Sequence, residues 1–383
     1  MKRILTIGCI ATSVILSSCI KEKDKENEVL PTYDYSKLDT TTYSPNFKNT
    51  AGDTTTDRTV GRNYSKLHAD LRTKLGSATS SVISSTDVIN LYNTSGLNLK
   101  SVTASSLPSN QASIQTDIEK FLSNHAKVSV YYADSAKNKK AGIAYFKSLT
   151  SGSTSKYLVD TNGIEWTQVA QKALIGAYQL DYICNILLAD TEADNTNLLA
   201  GSKQTQLAQN WDRAYAILTT NEVYGSKYKA ATGTTSESSG ESQLGAYAWE
   251  YNPNPNYTKK PKNLYDLNKD FLIARKAVEN KDKLTVKAQA EKIRLIFEKT
   301  MAKAALGYLS KWKTLTTDAE KMHALGEGLG FIYSLRFCKL SGCDATFADN
   351  IFKDLLNTGH WDMNKKSNQI LGAEDAIKAK FGL

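Results

Sequence analysis

His323 and Glu327 stand four residues apart in the run His323-Ala-Leu-Gly-Glu-Gly-Leu-Gly-Phe. On a helix that spacing puts both side chains on one face, where they could hold a metal or bond each other inside a bundle. Two ligands make an incomplete metal site, and the sequence names no third. Asp212, Arg294, Glu298 and Glu327 form a second set. Arg294 and Glu298 are also four apart, and Glu327 faces them from the next helix. Such an acid–arginine network could bind a ligand carboxylate, or it could satisfy buried charges while fixing helix register. Trp211, beside Asp212, reads as a core or rim aromatic with its N–H bonded. Nucleophilic catalysis has no matching motif: the chain contains no Gly-x-Ser-x-Gly, His-Glu-x-x-His or P-loop.

Both sets need a helical frame, and the stretch from Leu284 to Phe337 supplies one. Ile293, Phe297, Met301, Ala304, Tyr308 and Trp312 recur every three or four residues, an apolar stripe at helical period. A turn over 313–317 follows, with Thr317 and Glu320 spaced as a capping box. The next helix repeats the stripe with Met322, Leu325, Leu329, Ile332 and Phe337. Gly326, Gly328 and Gly330 interrupt it, each at a cost of about 1 kcal/mol against alanine. Close packing is the simplest offset, since Gly326 and Gly330 share a face on which another backbone can approach.

Helical periodicity also predicts helices over 64–75, 114–124, 165–189, 198–218 and 263–281, with a helical core near 88–92 and closing segments over 344–356 and 373–381. The stretch 139–148 reads as a further short helix, and Leu158 to Asp160 as a brief extended piece. Between 221 and 262 the pattern breaks into TGTTSESSGES and the Asn/Pro run 252–256, an irregular insertion. Its aromatics, Tyr247, Trp249, Tyr251 and Tyr257, point to part of it packing on the bundle. The expectation is an all-α fold: one large helical bundle, or two packed bundles, over 63–383.

The N-terminus carries an address. Lys2 and Arg3 precede an apolar run from Ile4 to Leu16, and Leu16-Ser17-Ser18-Cys19 completes a lipoprotein-type signal peptide over 1–18. The run is too short to span a hydrocarbon core of about 30 Å. Cys19 is then the lipidated residue, with the membrane as partner, and residues 19–62 form a polar, charged, disordered tether that cannot bury enough surface to offset its ordering entropy. The location expected is the outer membrane, facing either the periplasm or the cell surface.

The formal charge of +9 comes from lysines scattered along 383 residues, not from a basic stripe with interleaved aromatics. A solvated surface explains it better than nucleic-acid binding. Cys338 and Cys343 could close a small disulfide loop at a helix end, which an exported location permits. Cys184 lies in the apolar run ICNILL and reads as a buried thiol.

Several stretches together resemble the Bacteroidota lipoproteins catalogued as domain of unknown function 4856. They are Gly163-Ile-Glu-Trp-Thr-Gln, Lys172-Ala-Leu-Ile-Gly-Ala, Asn210-Trp-Asp-Arg-Ala-Tyr, Ile293-Arg with Glu298-Lys, and His323 to Leu335. Arg213 stands where that pattern has an acid, and Ala216 where it has glycine. The resemblance implies a helical envelope protein, similar in setting to imelysin-like, iron-regulated lipoproteins. On that footing the function expected is accessory binding in nutrient capture, with iron or haem as cargo and a TonB-type receptor or an imelysin-like lipoprotein as partner. An imelysin-like metal-binding protein or hydrolase is the alternative, and a structural envelope component the third reading. The imelysin signature Gly-x-His-x-x-Glu is not matched at His323, which lacks the leading glycine and stands one residue further from its glutamate.

Overall fold

In the computed structural model, residues 33–39, 42–148, 151–225, 240–251, 264–363 and 368–383 are described. The signal peptide, Cys19 and the tether up to residue 32 lie outside them, as does most of the irregular insertion, with Tyr257. Residues from Asp34 to Leu383 pack into one compact unit.

The helices are α1 (Thr59–Ser77), α2 (Ser85–Tyr92), α3 (Leu99–Val102), α4 (Gln111–Val128), α5 (Trp166–Leu174) and α6 (Gln206–Leu218), then α7 (Gln243–Tyr251), α8 (Leu264–Glu279), α9 (Lys283–Thr314), α10 (Asp318–Ser334), α11 (Ala345–Met363) and α12 (Asn368–Phe381). After Leu174, α5 widens into a π-helix over Ile175–Leu187. At the junction the Gly176 N–H is tied sideways, donating to Ser334 Oγ at 3.0 Å.

The predicted hairpin is the centre. α9 and α10 make the most extensive contact in the chain, and α10 packs nearly as broadly on α5. Every residue from Ala324 to Cys338 is buried. Glycine makes this possible: a Cβ on Gly330 would stand 2.5 Å from the Lys172 Cβ and 2.8 Å from the Val169 carbonyl, closer than real atoms approach. On the same face a Cβ on Gly326 would stand 3.0 Å from the Glu165 carbonyl. At the start of α10 the Thr317 hydroxyl accepts from the Glu320 N–H at 3.3 Å and bonds the Glu320 carboxylate at 2.7 Å, the cap read from the sequence.

Three expectations need correction. The stretch 139–148 is not helical: Gly142–Lys147 (β1) pairs antiparallel with Thr154–Val159 (β2), Tyr145 opposite Lys156. β-branched and aromatic residues here find a partner strand, and Ala144, Phe146, Tyr157 and Val159 cover Ala319 and Met322 of α10. That context overrides a helical reading of a short apolar run. The tether expected over 19–62 does not hold up to 62, because the described residues from Asp34 onward belong to the compact unit, with Tyr43 and Phe47 fully buried. Tyr43 stacks on Tyr215 at 3.9 Å, so a few aromatic anchors hold a segment whose average composition is polar. Finally, the insertion contains α7, whose Tyr247 packs edge-on against Phe331 at 4.6 Å.

Candidate functional site

At the crossing of α5 and α10, His323 and Glu327 meet two partners that the first reading missed. His323 Nδ1 lies 2.7 Å from Glu165 Oε2, and Nε2 lies 3.5 Å from Glu327 Oε2. Glu327 accepts from Lys172 Nζ at 3.1 Å and from the Tyr247 hydroxyl at 3.2 Å. Tyr247 and Tyr308 share a hydrogen bond at 2.9 Å, and Tyr157 stacks on the His323 ring at 4.3 Å. Glu165 and Lys172 are seven apart, two helical turns, so they present one face to a pair four apart on α10. That matched spacing was the available signal.

The four charges balance. Burial opposes the charge on His323, but Glu165 and Glu327 outweigh it and hold the imidazole above its usual range. Burial likewise works against the Glu327 carboxylate, and Lys172 with His323 overcomes it, leaving the carboxyl below its usual range. In its protonated form, with a carboxylate at each nitrogen, the imidazole has no lone pair to offer a metal. Among the described residues no three metal-ligating side chains group closely enough to hold an ion.

The acid–arginine constellation does not assemble around Glu327. Arg294 instead donates to Asn185 Oδ1 and to the Cys184 carbonyl at the end of the π-helix. Glu298 accepts from the N–H groups of Leu340 at 3.0 Å and Ser341 at 3.1 Å, closing the turn after α10. Asp212 is fully buried elsewhere: Arg275 Nε approaches at 2.9 Å, the Tyr43 hydroxyl at 2.9 Å and the Asp57 N–H at 3.3 Å, with Gln204 as a further donor. A single acid thus ties the N-terminal segment to α6 and α8. Trp211 is in the core, edge-on to Phe271, but its N–H finds no partner among the described residues, contrary to the bonded indole expected.

Cys338 and Cys343 stand as separate buried thiols, not as the expected bridge. The turn is closed by other means, the Cys343 N–H donating to the Cys338 carbonyl at 3.1 Å while Glu298 gathers the N–H groups between them. Burial pushes the Cys338 and Cys184 thiols up, and Cys343 to about 12, so all three stay protonated.

The accessible candidate site is a cleft of about 710 Å³ between α1, α5 and the start of α7. Arg62, Lys66, His68 and Arg72 come from α1, Gln171 from α5, and Gln179 from the π-helix that follows. Arg62 and Lys66 have only half-exposed acid partners, Glu222 at 3.6 Å and Asp70 at 2.6 Å. The polar groups of the wall are held by hydrogen bonds. The Leu244 N–H donates to Gln179 Oε1 at 2.7 Å, which turns the amide nitrogen toward His68 Nδ1 at 3.1 Å. Burial drives His68 down to about 3, with Arg72 and Lys172 adding to the effect, so the ring is neutral. With Nδ1 accepting, the proton sits on Nε2. That N–H is buried and unpartnered among the described residues, as is Gln243 Oε1. None of this was visible as a motif, because the lining comes from four segments and its residue types are common.

Neither the curated proteins nor the solved structures contain a match to this chain. A family model does match, over residues 32–383, which takes in the whole described unit and every side chain of the crossing and the cleft. The chain belongs to the family described as domain of unknown function (DUF4856).

Proposed function

We propose that this protein is a lipid-anchored cell-envelope protein that works by binding, and that its ligand is a small hydroxy-carboxylate or similar anion taken into the α1–α5–α7 cleft. The observation that carries the reading is the His68 Nε2–H, a buried donor without a partner at a wall flanked by guanidinium groups. A buried donor left unpaired costs about 1–3 kcal/mol, which a ligand acceptor would recover. Guanidinium forks suit carboxylate geometry, and Gln243 Oε1 offers an acceptor for a ligand hydroxyl. The volume falls within the roughly 300–1,000 Å³ of small-molecule sites.

The anchor at Cys19, in the outer membrane, rests on the signal-peptide pattern. The accessory role in nutrient capture rests on the family resemblance, with a TonB-type receptor or an imelysin-like lipoprotein as the component that receives the cargo. Iron fits this cleft as a carboxylate chelate. The lining sets the Glu241 carboxylate and the apolar stems of its long side chains beside the amide, hydroxyl and cationic groups, so haemin is kept as the comparison ligand.

Calorimetric titration with citrate, ferric citrate and haemin tests the reading. Both citrate forms are expected to bind, and Arg62→Gln with Arg72→Gln to weaken them roughly 100-fold, since a charge-assisted hydrogen bond contributes about 1.5–3 kcal/mol. No binding of either citrate form, or binding indifferent to the arginines, would contradict it. For the anchor, mass spectrometry of the mature protein should find Cys19 as the acylated N-terminus; an unmodified thiol there overturns that part.

A further inference from the structure

Beyond the cleft, the β-hairpin side of the molecule carries an exposed set of aromatic and cationic groups that the fold does not use. Tyr131 and Tyr145 are 45% and 51% exposed, and Val130 between α4 and the hairpin is 54% exposed. Large apolar side chains this open on a folded surface, when rimmed by charge, mark contact surfaces. The rim is mainly cationic, with Asp134 set among its lysines. Lys137 and Lys140 share a cleft with Tyr131, and Lys156 stands directly across the strand pair from Tyr145, on the face turned away from α10. None of Lys137, Lys140, Lys147 and Lys156 has a carboxylate partner among the described residues, whereas Lys139 pairs with Asp362 at 2.9 Å.

The lysines are also held in place. Ser135 pairs with Ile143, which fixes the incoming chain beside β1. The turn from Lys137 to Lys140 closes through the Lys140 N–H to the Lys137 carbonyl at 3.0 Å, with Asn138 at φ 49° and Lys139 at φ 64°. Two consecutive left-handed residues are where hairpin turns favour Asn-Gly, so a lysine in the second position is kept against a local backbone cost. The Lys139 ion pair to Asp362 holds that turn to the bundle and leaves Lys137 and Lys140 on either side of it unpaired among the described residues.

We propose that this face docks on an anionic phospholipid bilayer, with Tyr131, Tyr132 and Tyr145 at headgroup level and Lys137, Lys140 and Lys156 against the lipid phosphates. Tyrosine suits that boundary because its ring is apolar and its hydroxyl stays wet. Lysine suits it because the long stem crosses the apolar zone and leaves the ammonium among the phosphates. A soluble protein partner would be expected to select a depleted-charge centre, which this face lacks. Geometry allows the contact: the fifteen residues from Cys19 to Asp34 span at most about 50 Å, so an anchored chain stays within that distance of the membrane. The anchor raises the local concentration, while the docking itself needs no lipid on the protein.

The test therefore uses the mature chain from residue 19 with Cys19→Ser, which separates this face from the acyl anchor. Co-sedimentation is measured with vesicles of phosphatidylglycerol in phosphatidylcholine and with phosphatidylcholine alone. Binding is expected only to the anionic vesicles, and it should fall steeply with salt. Lys137→Ser with Lys140→Ser should lower the partition coefficient roughly 30-fold, from about 1 kcal/mol per lysine at such a surface. Tyr131→Ser with Tyr145→Ser should also lower it at unchanged salt dependence. All four side chains are exposed, so the melting temperature should stay put and the variants remain comparable. No binding to anionic vesicles, equal binding to both kinds, or binding unmoved by the lysine pair would each overturn the proposal, whatever the state of Cys19 or the cleft.

Discussion

Glu327→Ala is expected to destabilise the fold by roughly 3–5 kcal/mol, the usual cost of removing one partner from a buried ion pair. Lys172 is only 4% exposed and would lose the one carboxylate it pairs with among the described residues. Tyr247 and His323 would lose an acceptor in the same change. Urea unfolding of the single and double variants tests the pairing. Adding Lys172→Met should recover part of the loss, because the unpaired ammonium goes with it, whereas Arg294→Met should simply add, because Arg294 serves Asn185 and Cys184 instead. If Arg294 rather than Lys172 proves to be coupled to Glu327, the crossing has been assigned wrongly.

The same cluster dictates a pH window. His323 has a folded pKa above its ordinary 6.5, so its contribution is full below pH 6.5 and is lost as pH rises through the folded value. Glu327 has a folded pKa below its ordinary 4.5, so its contribution is full above pH 4.5 and is lost as pH falls through the folded value. The crossing is therefore most stable between those limits. His323→Gln should remove the decline on the alkaline side and make the acid-side decline smaller, since His323 is one of the two cations holding the Glu327 carboxyl down.

Asp212→Ala is expected to cost a similar roughly 3–5 kcal/mol, and to do something Glu327→Ala does not. Arg275 is buried beside it and would keep only its longer ion pair to Glu279 at 3.6 Å, so its guanidinium is left poorly compensated in the core. Tyr43 and the Asp57 backbone lose their acceptor together, and these are the contacts that pin the N-terminal segment. Limited proteolysis should then cut between residues 34 and 58 before it cuts the bundle. Tyr43→Phe should loosen the same segment at the smaller cost of about 1 kcal/mol, since the ring and its stack on Tyr215 stay. An Asp212→Ala variant as resistant there as the parent would show that the segment is held by its aromatics alone.

Local signals were legible and long-range partners were not. The stripe from Ile293 to Trp312, the Thr317 cap and the tight face of Gly326 and Gly330 are each written within one or two helical turns, and each stands as read. The pairing of Lys172 with Glu327 spans more than a hundred residues, and Asp212 meets Arg275 across sixty-three, so no spacing rule reaches them. Arg294 looked like the partner of Glu327 because both lie on the hairpin, but their helix faces point to different neighbours. Tyr43 and Phe47 failed for another reason: two rings decide the packing of a stretch whose average composition is that of a tether. Segment 139–148 was misread because Ile, Ala, Tyr and Phe in a short run fit either period until a second strand is present to choose. The cleft escaped because its chemistry lies in an orientation, the Gln179 amide set by Leu244, rather than in a residue type.

Hydrogen–deuterium exchange with and without citrate tests most directly whether binding in the cleft, rather than chemistry at His323, is the work of this protein. On citrate, peptides covering 62–73 and 240–245 should gain protection, while the helix Asp318–Ser334 exchanges as before. Protection confined to that helix, with the α1 and α7 peptides unmoved, would place the site at the crossing and contradict the account.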